Sequence, residues 1–97
     1  MTENNEKKSD VFTSTYFGLL LTHGTTEIPL ADIGYMLGTK SASWLKKQAA
    51  AKKLPFPVYR CSSAKAPWMV DAKELADYLV KQKRDAQLAF TNLRLRG

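Results

Sequence analysis

Apolar residues recur at spacings of three and four near the start of the chain, a pattern that predicts a helix. The apolar face of this helix consists of Phe12, Tyr16, Leu19 and Leu20. The helix is expected to begin at Val11 and to end at His23-Gly24, because glycine readily adopts the left-handed conformation that closes a helix. Residues 1–10 are polar, of mixed charge and without apolar periodicity, which predicts a disordered leader. Residues 11–97 then have the size of a single domain.

Two further helices are predicted after a short extended link over residues 25–28, with only a tight turn between them. Pro29 suits the first turn of the second helix, where its missing N–H is no loss, and Gly38 ends that helix. Ser41 is a favourable N-cap for the third helix, since its hydroxyl can accept a hydrogen bond from the first turn. The side of the third helix that is predicted to face the core holds Trp44, Leu45, Gln48, Ala51 and the stem of Lys52. The pattern is that of a helix-turn-helix.

The opposite side of the third helix is small, polar and cationic. It is predicted to hold Ser43, Lys46, Lys47, Ala50 and Lys53. Small side chains would let the helix backbone approach base edges, while hydroxyl and ammonium groups can bond to bases or phosphates. This side therefore fits the major groove of duplex DNA.

Two extended segments follow the third helix and predict a small hairpin. The segments cover residues 56–60 and 67–70, and a polar loop over residues 61–66 joins them. Pro57 and Pro67 cannot donate hydrogen bonds to a sheet, which suits an exposed two-stranded wing. The polar and basic residues at or near its tip are Arg60, Ser62, Ser63 and Lys65.

A long last helix is predicted after the wing. Asp71 and Glu74 have the spacing of a capping box, and the helix begins at Ala72. Its apolar stripe consists of Leu75, Leu79, Ala86, Phe90 and Leu93. The second half of this helix could pack on the first helix through Phe12 and Tyr16, or it could meet the same segment of a second subunit in a homodimer.

The positive charge of the chain is concentrated between Ile33 and Val70, a window without any Asp or Glu. The window contains seven basic residues, which are Lys40, Lys46, Lys47, Lys52, Lys53, Arg60 and Lys65. It carries +7, whereas the whole chain carries +6, so the rest of the chain sums to −1. A focused positive surface that coincides with a helix-turn-helix favours nucleic-acid binding over a merely solubilising role.

Other classes of function find little support in the sequence. Cys61 is the only cysteine and His23 the only histidine, which excludes an intramolecular disulfide and a thiol-based metal cluster. The motifs of phosphate-binding loops, nucleophile elbows and zinc sites are absent. The longest apolar stretch, residues 17–21, is far below the roughly 20 residues that cross a bilayer. We therefore expect a cytoplasmic protein that is no enzyme, holds no cofactor or metal, and uses Trp44 and Trp68 as core anchors.

The segment from Ile28 to Leu79 resembles a known group of regulators. Its matching motifs are the Ile28-Pro29-Leu30 entry, the Leu54-Pro55 exit and the Ala76-Asp77-Tyr78 helix. The order resembles the MerR-like winged helix-turn-helix of phage excisionases and AlpA-type regulators, and within it the pyocin activator PrtN family. The resemblance implies a mainly α fold with a small β-wing, a winged helix-turn-helix with a long C-terminal helix. It also implies that the third helix reads the major groove through Ser41, Ser43, Lys46 and Lys47, and that Arg60 and Lys65 make the wing contacts.

These observations lead to one principal hypothesis and two alternatives. The hypothesis is a sequence-specific regulator, an activator of transcription from a phage-derived or mobile element, which binds double-stranded DNA. The candidate DNA-binding residues are Lys40, Ser41, Ser43, Lys46, Lys47, Ala50, Lys53, Arg60, Ser62, Ser63 and Lys65. One alternative is an excisionase-like factor that assembles cooperatively on DNA and bends it. The other is an adaptor that binds proteins through the last helix. RNA polymerase and a recombinase are the candidate protein partners.

Overall fold

The computed structural model describes residues 3–39, 41–63 and 65–96 of the chain. Their elements are α1 (Glu3–His23), β1 (Glu27–Pro29), a 3₁₀ helix (Leu30–Leu37), α2 (Ala42–Ala50), β2 (Tyr59–Arg60), β3 (Trp68–Asp71) and α3 (Ala72–Arg96). The second predicted helix is thus a 3₁₀ helix, and the third is α2. The mainly α fold with a small β-wing and a long C-terminal helix is confirmed.

The strands of the described residues form one antiparallel sheet in the order β1-β3-β2. β1 pairs with β3 through Ile28 and Val70, while β2 pairs with β3 through Arg60 and Trp68. The prediction of a two-stranded wing was therefore incomplete. It lacked β1, which begins within the segment that was predicted to be an extended link. A strand of three residues is too short to show an alternating pattern of its own. β1 is held by its pairing with β3 and by the complete burial of Ile28.

The core lies where the sheet, the 3₁₀ helix, α2 and the first turns of α3 meet. Its wholly buried large side chains are Ile28, Ile33, Val70 and Leu75. α2 contributes Leu45 and Ala49, and α1 contributes Leu19. β1, the 3₁₀ helix and α2 are too short to be stable alone, so burial of this shared apolar face supplies most of their stability.

The junction between sheet and α3 is fixed by two hydrogen bonds at the start of the helix. The Ala72 backbone N–H donates to the Thr26 carbonyl over 2.8 Å. The Lys73 backbone N–H donates to Asp71 Oδ1 over 2.7 Å, which is the bond expected of the capping aspartate. Together they tie the start of α3 to the residue before β1 and to the end of the central strand.

α1 and α3 pack against each other in opposite directions and form a two-helix arm. Thr26, which follows α1 by three residues, lies beside the start of α3, whereas Thr15 within α1 accepts a 3.4 Å hydrogen bond from Lys83 Nζ. Phe12 and Tyr16 are partly buried against the core, as expected for the first helix. The α3 side chains from residue 81 to residue 93 are exposed, and a homodimer through this segment stays a prediction.

Residues 3–10 continue α1 toward its N-terminus, and their backbone differs here from the disordered leader that the sequence predicts. Extension of an existing helix adds one hydrogen bond for each residue fixed, without the cost of nucleation. A helix that nucleates in the apolar segment can therefore extend backward into polar residues that have no apolar periodicity. Residues 1–2 of the predicted leader lie outside the described part of the chain.

Candidate nucleic-acid interface

The orientation of α2 is set by a close contact with the 3₁₀ helix. Leu45 and Ala49 are buried, 4% and 2% exposed, and mark the inward side of α2. A Cβ at Gly34 would lie only 3.0 Å from Leu45 Cδ1, so the absence of a side chain at Gly34 is what lets α2 approach. At about 100° per residue, Lys47 points directly away from the midpoint of Leu45 and Ala49. Lys47 therefore stands at the centre of the outward side.

Three residues expected on the inward side of α2 are instead exposed. Trp44 is 41% exposed and lies at the edge of the outward side, so its interpretation as a core anchor was wrong. Ala51 and Lys52 lie beyond the last helical residue and are also exposed. The exposure of Trp44 follows from a rotation of the helix, because the contact at Gly34 selects Leu45 rather than Trp44 as the most deeply packed residue. A glycine in the preceding helix was the one sequence signal for this rotation.

The start of α2 is capped as the sequence predicts. Ser41 Oγ accepts a 3.0 Å hydrogen bond from the Trp44 backbone N–H. The Ser41 backbone N–H in turn donates to Thr39 Oγ1 over 3.0 Å. The Ser41 hydroxyl is thereby committed to the helix end, and only its remaining hydrogen-bonding capacity is free to bind a ligand.

The end of α2 has a left-handed residue that is not glycine. Lys52 has φ 58°, its backbone N–H donates to the Ala49 carbonyl, and the Lys53 N–H donates to the Gln48 carbonyl over 2.9 Å. These two bonds are those of a Schellman motif. The motif fixes the direction in which the chain leaves α2, and the exposed Lys53 follows directly after its left-handed residue.

Two side-chain contacts stabilise the wing, one between β2 and β3 and one between β2 and β1. The Arg60 guanidinium lies over the Trp68 ring, 4.3 Å from its centroid, in the geometry of a cation–π interaction. On the other side, the Tyr59 hydroxyl donates to the Glu27 carboxylate and so links β2 to β1 across β3. The half-buried Trp68 packs against the core, as predicted, and also holds a wing arginine.

The loop of the wing is a compact turn in its described part. Ser62 has φ 62°, and the Ser63 N–H donates to the Cys61 carbonyl over 2.7 Å. Ser63 Oγ accepts a hydrogen bond from the Lys65 backbone N–H over 3.3 Å. Ser63 therefore shapes the turn that presents Lys65, and Ser62 and Lys65 stay exposed.

A groove joins α2 to the wing. Its lining comprises Lys46, Arg60, Lys65, Ala66, Pro67 and Trp68. Lys46 comes from α2, whereas Arg60 and Lys65 come from the wing, so cations that are 14 and 19 positions apart in sequence share one surface. An adjoining apolar groove is lined by Ala42 of α2 together with Pro67 and Trp68. The helix and the wing consequently present their charges on the same side of the molecule.

Every described member of the predicted DNA-binding set is exposed. These residues are Ser41, Ser43, Lys46, Lys47, Ala50, Lys53, Arg60, Ser62, Ser63 and Lys65. Lys40 lies outside the described residues. The structure brings Lys46, Arg60 and Lys65 together, and it places Ser43, Lys47 and Ala50 on the neighbouring outward side of α2.

The described residues lack the features of two other kinds of site. They contain no group of His, Cys, Asp and Glu side chains placed to hold a metal ion. Every helix among them is too short or too polar to span a bilayer. The combination of an outward cationic helix and a braced basic wing is the main chemical feature of the described surface.

Comparison with known proteins places this arrangement in a family. The family model described as pyocin activator protein PrtN matches residues 15–86. The chain belongs to the pyocin activator PrtN family. The match begins within α1 and ends within α3, so it includes the helix-turn-helix and the wing. Membership indicates a phage-related transcriptional activator. Searches of curated proteins and of solved structures found no match to the chain.

Proposed function

We propose that this PrtN-family chain is a sequence-specific double-stranded DNA-binding protein that activates transcription of a phage-derived gene cluster through a MerR-like winged helix-turn-helix. The observation that carries the proposal is the shared groove of Lys46, Arg60 and Lys65. Two elements that approach DNA separately must present their charges on one side to bind one duplex, and this groove meets that requirement. Family membership supports the role as an activator.

The two parts of the surface have different tasks in this proposal. α2 enters the major groove with Lys47 and Ser43 facing base edges, and Ala50 lets the backbone come close. Lys46, Arg60 and Lys65 bind phosphates of the strand that runs between helix and wing. Lys53, placed beyond the end of α2, adds a further phosphate contact. No cofactor, metal or catalytic step is needed for this activity.

Salt dependence and matched lysine variants test the proposal. A duplex is first selected from a random DNA pool with the wild-type chain, and its affinity is then measured by fluorescence anisotropy at several salt concentrations. With about four to six phosphate contacts, log affinity should fall against log salt with a slope of roughly −4 to −5. Lys46→Ala should reduce the steepness by about 0.9, since one phosphate contact is lost.

Two further variants separate base readout from general electrostatics. Lys47→Ala should weaken the selected duplex by about 1–3 kcal/mol and blur the selected consensus. Lys83→Ala removes an exposed lysine on the two-helix arm, outside the proposed surface, and should leave affinity and consensus unchanged. Recovery of no consensus, or an equal loss from Lys47→Ala and Lys83→Ala, would refute sequence-specific binding by α2.

The role as an activator requires a separate measurement. A promoter that carries the selected sequence should drive a reporter more strongly when the chain is present, and Lys47→Ala should lower that output in parallel with affinity. Binding without activation would instead point to a repressor or an architectural role. A large bend of the selected duplex together with repeated direct sites would identify the latter.

A further inference from the structure

Trp44 is an exposed aromatic residue on the element that we propose reads DNA. Its side chain is 41% exposed, and no ring contact of the indole is present among the described residues. Since a tryptophan side chain covers about 150–250 Å², roughly 60–100 Å² of mostly apolar surface remains in water. Burial of such a surface against a ligand is favourable.

The position of Trp44 around α2 places this surface beside the proposed base-reading residues. Trp44 and Lys47 are three residues apart, which makes them neighbours on the helix surface. Lys46, which faces the wing, lies on the other side of Lys47. The outward side of α2 therefore has a cationic edge toward the wing and an aromatic edge away from it.

The cap at Ser41 fixes where Trp44 stands along the helix. α2 begins at Ala42, so Trp44 is its third residue, and its backbone N–H is held by Ser41 Oγ. In helix-turn-helix proteins the N-terminal residues of the second helix are those that contact base edges. The backbone of Trp44 is therefore fixed at the end of α2 that contacts base edges in this class of protein.

We infer that Trp44 is a specificity-determining residue that packs its indole against a thymine methyl group in the major groove, an inference that rests on the proposed DNA binding. The argument is one of chemical matching, because the C5-methyl of thymine is the apolar group that base pairs present in the major groove. The lysines and serines around Trp44 can bond to nitrogen and oxygen atoms of bases but offer no such apolar contact. Trp44 thus adds recognition of an A·T pair that its polar neighbours cannot supply.

Replacement of thymine by deoxyuridine tests this inference directly, since it removes only the methyl group. Each thymine of the duplex selected from a random pool is replaced in turn, and affinities are measured for wild type and for Trp44→Ala. One replacement should weaken wild type by about fourfold, the value of one buried methylene-sized group. The same replacement should change the affinity of Trp44→Ala by less than about 1.5-fold. Phe17→Ala, which removes an exposed aromatic ring from α1, should keep the wild-type penalty.

Fluorescence gives a second measurement that does not depend on the Trp44→Ala variant. The chain has two tryptophans, so Trp68→Phe leaves Trp44 as the single emitter. Its emission should be quenched when the selected duplex is added, whereas the emission of Trp68 in Trp44→Phe should change less. Circular dichroism of both variants establishes that they are folded.

The outcomes separate failure of this inference from failure of the proposed function. If wild type selects no duplex, the proposed function is wrong and the inference falls with it. If a duplex is bound specifically but no uridine penalty depends on Trp44, or if Trp44 emission stays constant, the inference alone is overturned. A penalty that disappears in Trp44→Ala, together with quenching of Trp44, would establish the contact.

Discussion

The Arg60 guanidinium carbon lies 4.3 Å from the centroid of the Trp68 ring, and the two residues are directly paired between β2 and β3. This pairing joins a charge of the wing to a side chain that packs on the core. We expect Trp68→Leu to weaken DNA binding by about 0.5–1 kcal/mol, because the arginine loses the ring that orients it. Trp68→Phe keeps a ring and should retain most of the affinity.

A double-mutant cycle tests whether this effect acts through Arg60. If it does, Arg60→Ala should cost less affinity in the Trp68→Leu background than in wild type, with a coupling of about 0.5–1 kcal/mol. Anisotropy titrations of the four proteins provide the measurement. Strictly additive losses would mean that Trp68 supports the wing without holding Arg60.

Ser41 and Ser43 are neighbouring exposed serines of the candidate set, and we expect their alanine variants to behave differently. Ser41→Ala removes the cap bond to the Trp44 N–H and should lower the free energy of unfolding by about 1 kcal/mol. Ser43→Ala should change stability by less than about 0.5 kcal/mol, because alanine is a better helix former. Ser43→Ala should instead lower the affinity for DNA. Urea unfolding and anisotropy separate the two, and equal stability losses would contradict the assignment of Ser41 as the cap.

Gly34 and Gly18 should respond to alanine in opposite directions. A Cβ at position 34 would meet Leu45 Cδ1 at 3.0 Å and the Thr39 carbonyl at 3.2 Å, so Gly34→Ala should destabilise by about 1–3 kcal/mol. Gly18 lies in α1 with nothing within 4 Å of its Cβ position, and Gly18→Ala should stabilise by about 0.5–1 kcal/mol. Thermal unfolding reports both effects. A neutral Gly34→Ala would show that α2 can move outward without cost.

Lys52 holds a backbone conformation that glycine adopts more easily. At φ 58° a side chain costs about 1–2 kcal/mol relative to glycine, so Lys52→Gly should raise the free energy of unfolding by about 1 kcal/mol. Lys53→Gly has no positive φ to relieve and serves as the matched control. Chemical denaturation measures both variants, and a loss of stability in Lys52→Gly would mean that the lysine side chain contributes more than its strain costs.

The local signals of the sequence account for most of the fold. Gly24 and Gly38 end their helices with positive φ, Ser41 caps α2, and Asp71 caps α3, as their residue types predict. Each of these features depends on a few neighbouring atoms. A residue type and its immediate sequence therefore suffice to predict it.

Features that depend on contacts between distant segments were harder to predict. β1 exists because β3 pairs with it, and the rotation of α2 follows from the fit of Leu45 against Gly34. Helical periodicity gives the width of an apolar side but fixes its centre only to within one residue, which is 100° of rotation. Because of this uncertainty, Trp44 was predicted to lie in the core, although it lies at the surface. The exposed set on the opposite side was insensitive to it, since Lys47 stays outward under either rotation.

β3 occupies the middle of the sheet, and this has an evolutionary consequence. It pairs with β1 and β2 and continues into α3, whereas the described residues of the loop between β2 and β3 belong to no strand. Insertions, deletions or exchanged charges in that loop would alter how far the hairpin extends, while α2 keeps its packing against the 3₁₀ helix. We therefore expect related chains to vary in the length and charge of this surface turn more than in the sheet and helices that carry it.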